Sequence, residues 1–196
     1  MEPQPRAPLD WIVWLQWVVA TGAGLILGVN SSFALNAILS GLVGPDTAAI
    51  AFIVLVSVLV GGWIGILQWL VLRRRVKRAG PWVVSTMAGW VAGWIPSASI
   101  LGWVIGITVG LMQWVILRRW VTRASWWLVA SVLGWTVAEF LLAAIGSEGI
   151  STLTVGLAGA VAGAITGGAL VWLMQKPVPV DEPIETEATE VDPRRR

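Results

Sequence analysis

Apolar residues run through this chain in long, nearly unbroken stretches. They do not show the alternation of a half-buried strand or the one-sided stripe of a soluble helix. Six stretches stand out: Trp11 to Val29, Ala48 to Leu72, Pro81 to Pro96, Ile100 to Leu117, Trp126 to Ile145 and Thr152 to Met174. Most reach the roughly 20 residues that carry a helix across a hydrocarbon core of about 30 Å. The third is the shortest; it is bracketed by Pro81 and Pro96 and is expected to tilt little. The pattern predicts an all-α fold, an integral membrane helical bundle of six transmembrane helices.

Composition agrees with lipid as the solvent. Of 196 residues, 57% are hydrophobic and 12% charged, with a mean hydropathy of +0.79. That is more apolar surface than a soluble domain of this size buries in one core. The first stretch follows a short polar start with one Arg, as a secretory leader does. Its length, its tryptophans and a pattern shared with later stretches argue for a retained span instead.

Positive charge then sets the orientation. The basic residues fall at Arg6, at Arg73, Arg74, Arg75, Lys77 and Arg78, at Arg118, Arg119 and Arg123, and at Lys176 and Arg194 to Arg196. With six crossings all of them lie on one side. The opposite loops, Asn30 to Thr47, Ser97 to Ser99 and Gly146 to Ser151, carry no Lys or Arg and only Asp46 and Glu148 as acids. Because cytoplasmic loops retain the positive charge, both termini are expected in the cytoplasm.

The chain also repeats itself. Gly65-Ile-Leu-Gln68-Trp69-Leu-Val-Leu-Arg73-Arg74 matches Gly110-Leu-Met-Gln113-Trp114-Val-Ile-Leu-Arg118-Arg119 position for position. A weaker third copy, Gly168-Ala-Leu-Val171-Trp172-Leu-Met-Gln-Lys176, has Val171 where the others have Gln. The preceding segments match too, beginning at Trp17, Trp82 and Trp127 and ending at Gly24, Gly89 and Gly134. Three two-helix units follow, at about 11–78, 81–123 and 126–176, flanked by an N-terminal segment 1–10 and a disordered acidic tail 177–196. Units of two crossings repeat in parallel, about an axis along the membrane normal. A ring around a central axis and a flatter bundle without a cavity both satisfy this pattern.

The motif Gly-x-x-Gln-Trp-x-x-Leu-Arg-Arg, followed by Trp-x-x-Ala/Ser-Ser/Thr-x-x-Gly, resembles a group of uncharacterised bacterial polytopic membrane proteins. The resemblance covers roughly residues 57–135 best. It implies a multi-pass protein of the bacterial inner (plasma) membrane and supplies no activity.

Small residues recur every four positions along the even-numbered stretches, including Gly61 and Gly65, Gly102, Gly106 and Gly110, and Gly168. In lipid, helices associate through such close-packing stripes, so these glycines are expected at helix interfaces. The outer loop Ser31 to Gly44 reads as a short interfacial or re-entrant helix.

Five residues are candidate ligand contacts. Glu139 is the one acid inside a predicted span, and an ionisable group at that depth marks a pathway, a partner or a hydrogen-bonded structural carboxyl. Gln68 and Gln113 each lie five residues before an Arg, about 7.5 Å inside the charged boundary. They suit an interhelical clasp, a polar ligand, or the magnesium of a chlorophyll-type pigment. Trp94 and Trp135 belong, with Trp63, Trp90 and Trp103, to a deeper set that lines an apolar site or faces lipid. The other tryptophans, Trp17, Trp82 and Trp127 among them, are expected to form an anchoring belt at the cytoplasmic interface. Arg73, Arg74, Arg75, Arg118 and Arg119 are placed to meet anionic lipid headgroups or an acidic protein surface.

With no Cys and no His, thiolate metal sites and the commonest general base are absent, and neither a metal site nor a cofactor is legible. No phosphate loop or nucleophile-base pair appears. The basic segments are short and each abuts an apolar stretch, which argues against nucleic-acid binding. The leading expectation is a non-enzymatic structural or accessory subunit, working with lipids and with other membrane subunits or further copies of itself. The alternatives are a small-solute transporter and a pigment- or quinone-binding subunit.

Overall fold

The computed structural model describes residues 10–76, 78–97, 102–146 and 149–175. The expectations for the N-terminal segment before Asp10, for Lys77, Glu148 and Lys176, and for the acidic tail lie outside them. Six helices follow one another: α1 (Trp11–Ser40), α2 (Pro45–Leu72), α3 (Pro81–Ser97), α4 (Gly102–Leu117), α5 (Trp126–Ile145) and α6 (Thr152–Met174).

Local signals set several ends. The Asp10 carboxylate accepts from Val13 N at 3.3 Å and starts α1. Pro45 and Asp46 occupy the first turn of α2, where a missing N–H costs nothing and negative charge meets the positive end of the helix dipole. Ser151 and Thr154 form a reciprocal capping box at the start of α6. Gly146, at φ 74°, ends α5 in a conformation that suits glycine.

The bundle is all-α, but the expected six crossings are not all present. Among the described residues four helices, α1, α2, α5 and α6, are long and apolar enough to cross a membrane. Helices α3 and α4 have 17 and 16 residues, about 26 and 24 Å of rise, which is short of the hydrocarbon core. Their apolar composition had suggested spans; their described lengths do not supply them. The outer segment after Ser31 differs as well. It forms no separate interfacial helix but continues α1 to Ser40, giving a helix of 30 residues and about 45 Å.

Each helix packs on its two neighbours in sequence, and α6 packs back on α1, so the three hairpins close into a ring. Glycine makes every contact in that ring close, mostly from each helix onto the next, with Gly22 of α1 bearing instead on α6. A Cβ built on Gly24 or Gly28 of α1 would sit 2.7 and 2.4 Å from backbone Cα atoms of α2. Gly61 and Gly65 of α2 bear in the same way on α3, and Gly89 of α3 on α4. Gly102, Gly106 and Gly110 of α4 bear on α5, and Gly134 of α5 on α6. The circle is completed by Gly159, Gly163 and Gly167, which lie against Gly22, Thr21 and Trp17 of α1. The expected stripe on α6 holds at its start, where Gly156 meets Ile26 and Gly22 meets Gly156 and Ala160, but fails at Gly168, where the adjacent register takes over. A Cβ at Gly168 would find only Trp14 Nε1, at 4.0 Å, because that residue points between helices instead of into one.

One end of the ring collects the basic loops. Arg75 pairs with Asp10, tying the α2–α3 loop to the start of α1. At their described residues the loops after α2 and α4 share hydrogen bonds and backbone angles. In each, two amides return to the last helical carbonyl (Arg75 and Val76 to Leu72, Trp120 and Val121 to Leu117), and Arg78 and Arg123 stand at φ 63° and 59°. The repeat thus extends to the backbone of its turns. A left-handed conformation at a non-glycine residue is held there by the turn around it.

Candidate functional site

At the basic end of the axis three tryptophans meet. Trp17, Trp82 and Trp127, the first residues of the repeated odd-helix motif, are 0%, 0% and 1% exposed. Their rings make edge contacts with centroids 5.8, 5.7 and 6.1 Å apart. Such pairs contribute about 0.5 to 1.5 kcal/mol each beyond the area they bury. These three are not members of an interfacial belt, as the sequence had suggested. Their register at the same turn of α1, α3 and α5 points them inward, where they fill the axis. Trp11 and Trp126 do face outward.

Behind the tryptophans runs a hydrogen-bond network that repeats from one unit to the next. Gln68 accepts from the indole of Trp82 at 3.0 Å and donates to Thr21 Oγ1 at 3.1 Å. Gln113 repeats the arrangement, accepting from Trp127 at 3.1 Å and donating to Thr86 at 2.9 Å. Each Gln thus joins the Thr of its own repeat to the Trp of the next, and the two amides touch at 3.5 Å. The third link is broken. Val171 stands where Gln would complete the circle, Trp17 turns to Thr166 Oγ1 at 3.1 Å, and the buried Ser131 hydroxyl has no hydrogen-bond partner.

Gln68 and Gln113 are 4% and 2% exposed, so their amides are taken up by this network. Thr166 joins it, while Thr108 turns back on its own helix, to Val104 and Ile105. The roles of Thr21 and Thr86 escaped the sequence reading. Their signal was present in the shared Trp-x-x-x-Ser/Thr spacing, which places the hydroxyl one turn beyond the indole.

Beyond the network, at the end away from the basic loops, the axis opens into an apolar cavity of about 270 Å³. All six helices wall it. Leu25, Trp90 and Trp135 occupy equivalent repeat positions on the wall, as do Val29, Trp94 and Glu139. The candidate ligand contacts Trp94, Trp135 and Glu139 are thereby brought together, whereas Gln68 and Gln113 lie apart from them, in the polar layer. Trp103 faces outward. The Glu139 carboxylate accepts from the backbone N–H of Gly102, the first residue of α4. This places an acidic side chain at the N-terminus of α4. The carboxyl thus has a structural task. Gly102 must be glycine for the approach, since a Cβ there would meet Trp135 O at 2.3 Å.

The arginines at the other end are exposed, and two have equivalent settings. Arg73 lies over the Trp69 ring and Arg118 over the Trp114 ring, each guanidinium carbon 5.1 Å from the centroid. Arg74, Arg75 and Arg119 complete the exposed cationic edge. Among the described residues no cluster of three or more His, Cys, Asp or Glu comes together to hold a metal ion.

Compared with models of known protein families, with curated proteins and with solved structures, the chain matches none. What can be said of its function rests on its own geometry.

Proposed function

We propose that the chain is a non-enzymatic accessory subunit of a larger membrane assembly, docking through the projecting α1–α2 hairpin. The observation that carries this reading is the length of that hairpin. Gly156, four residues into α6, lies against Ile26, so α6 begins at about the level of Asn30. The last ten residues of α1 therefore run about 15 Å past it. The start of α2 likewise precedes the part that packs on α3. This projection exposes Phe33, Ile38, Leu42 and Ile50 at 59%, 63%, 75% and 67%. Apolar side chains as exposed as these also occur along the helices of the ring, where lipid covers them; what supports a docking role for the hairpin is that it extends past its neighbours, beyond the ring's own packing. The tryptophan layer fills the axis, which argues against a continuous solute path and so against the transporter reading.

In this reading the basic loops face the cytoplasm, with both ends of the described chain on that side. Arg73, Arg74, Arg75, Arg118 and Arg119 then meet anionic headgroups. The test is native mass spectrometry of the protein gently extracted from its own membrane. A stoichiometric membrane partner that is lost in the Ile38→Asp, Leu42→Asp variant supports the proposal. A lone chain, or a partner retained in that variant, overturns it.

A further inference from the structure

We infer that the cavity at the open end of the axis receives the methyl end of one acyl chain of a membrane lipid, entering from the leaflet opposite the basic loops. The space comes from the uneven repeat. The first unit places Leu25 and Val29 where the second places Trp90 and Trp94, so volume taken by indole beside α3 is open beside α1. On α1 the lining runs from Leu25 to Phe33 and on α2 from Val60 to Phe52, which makes the cavity about 12 Å deep. Its volume of about 270 Å³ is well above the roughly 150 Å³ of an apolar cavity that holds benzene, and by proportion it takes about ten carbon atoms.

The wall decides what can enter. The described residues expose no polar atom to the cavity, and the one carboxylate among them, that of Glu139, is engaged with Gly102 N–H. Water and polar solutes therefore find nothing to bond to. A peptide segment of a partner is excluded on the same ground, since each of its N–H and C=O groups would be left unpaired. A hydrocarbon chain brings no such groups and gains dispersion contacts along the whole wall.

The lengths of the helices place that chemistry at the mouth. Helices α3 and α4 rise about 26 and 24 Å against a hydrocarbon core of about 30 Å. With the basic loops at one interface, the other ends of α3 and α4 stop inside the hydrocarbon layer. Trp94, near the end of α3, and Gly102, the first residue of α4, both line the cavity, so its mouth opens among acyl chains and not into water. Phe33 and Phe52, in ring contact at 5.1 Å, flank this mouth at the base of the projecting hairpin.

The test is photo-crosslinking of the protein reconstituted in phosphatidylcholine bilayers. One probe is phosphatidylcholine with a diazirine at the methyl end of an acyl chain; the other carries the diazirine beside the ester. Adducts are located by mass spectrometry, with the outward-facing Phe140 as the lipid-contact control. The expected result is that the end-labelled lipid modifies the buried axis residues Leu25, Ile105 or Ala158, and the ester-labelled lipid does not. Val29→Trp, which copies the residue of the second repeat into the first, should lose the axis adducts and keep those at Phe140. If that variant fails to fold, Leu142→Trp serves the same purpose. Three outcomes overturn the inference: labelling of Phe140 without the axis, equal labelling of the axis by both probes, or axis adducts that persist in a folded variant with the cavity filled.

Discussion

Val171 is the residue at which the threefold pattern fails, and its consequences are local and measurable. Without a third amide, Trp17 depends on Thr166, and Ser131 is left unpaired. Thr166→Val keeps the shape but removes the acceptor, so it should cost about 0.6 to 2 kcal/mol, the range for hydrogen bonds between helices in lipid. Val171→Gln should restore the missing link to Trp17 and Ser131, so in that background the cost of Thr166→Val should shrink. Thermal denaturation of the four variants in detergent checks the coupling. If Thr166→Val costs the same in both backgrounds, the reading of Val171 as the missing link of the network is wrong. Glu139 gives a second residue-level contrast. Glu139→Gln keeps an acceptor for Gly102 N–H and should remain close to wild type. Glu139→Leu leaves that amide unpaired and should lose about 1 to 3 kcal/mol. Equal stability of the two variants would remove the capping role.

At the scale of elements, the ring is held by glycine stripes that each helix offers to the next. Gly106→Ala places a Cβ 2.6 Å from Val132 Cα, where backbone must move, and should destabilise by about 1 to 3 kcal/mol. Gly168→Ala meets nothing closer than 4.0 Å and should stabilise by up to about 1 kcal/mol through helix propensity. Opposite signs in a thermal unfolding assay are the expected outcome; a cost at both sites contradicts the interface assignment. The repeated turns carry a related prediction. Arg123→Gly relieves the left-handed backbone at φ 59°, and a gain of roughly 1 kcal/mol is expected in the same assay. The stripes on α2 and α4 were legible because small residues at four-residue spacing have one main use in lipid. On α6 that spacing occurs in two adjacent registers, Gly156 to Gly168 and Gly159 to Gly167, and only the partner helix selects between them.

At the scale of the whole molecule, the basic loops gather at one end and the long hairpin projects from the other. The natural absence of Cys makes this arrangement simple to map. Single substitutions Ser125→Cys and Thr47→Cys, probed in sealed cells with a membrane-impermeant maleimide, should label in opposite senses. Thr47→Cys is expected to react from outside, and Ser125→Cys only after the cells are opened. Labelling of both from outside would contradict the orientation proposed here.

The sequence by itself determined the helical class, the three hairpin units, the segregation of basic loops and most of the glycine faces. These follow from local composition and spacing, which act within a few turns of one helix. Tertiary structure alone decided that the hairpins close into a ring, because closure depends on α6 meeting α1 across the whole chain. It also decided that Trp17, Trp82 and Trp127 fill the axis, since an indole near a charged loop suits an interface and a core equally well until its neighbours fix the direction. The count of long spans among the described residues, four where six had been expected, was likewise a matter of where each helix ends. Hydropathy marks apolar residues but does not measure the rise of the helix they form. The cavity, finally, is a product of unlike residues at equivalent positions, and that difference becomes a space only when three repeats are brought face to face.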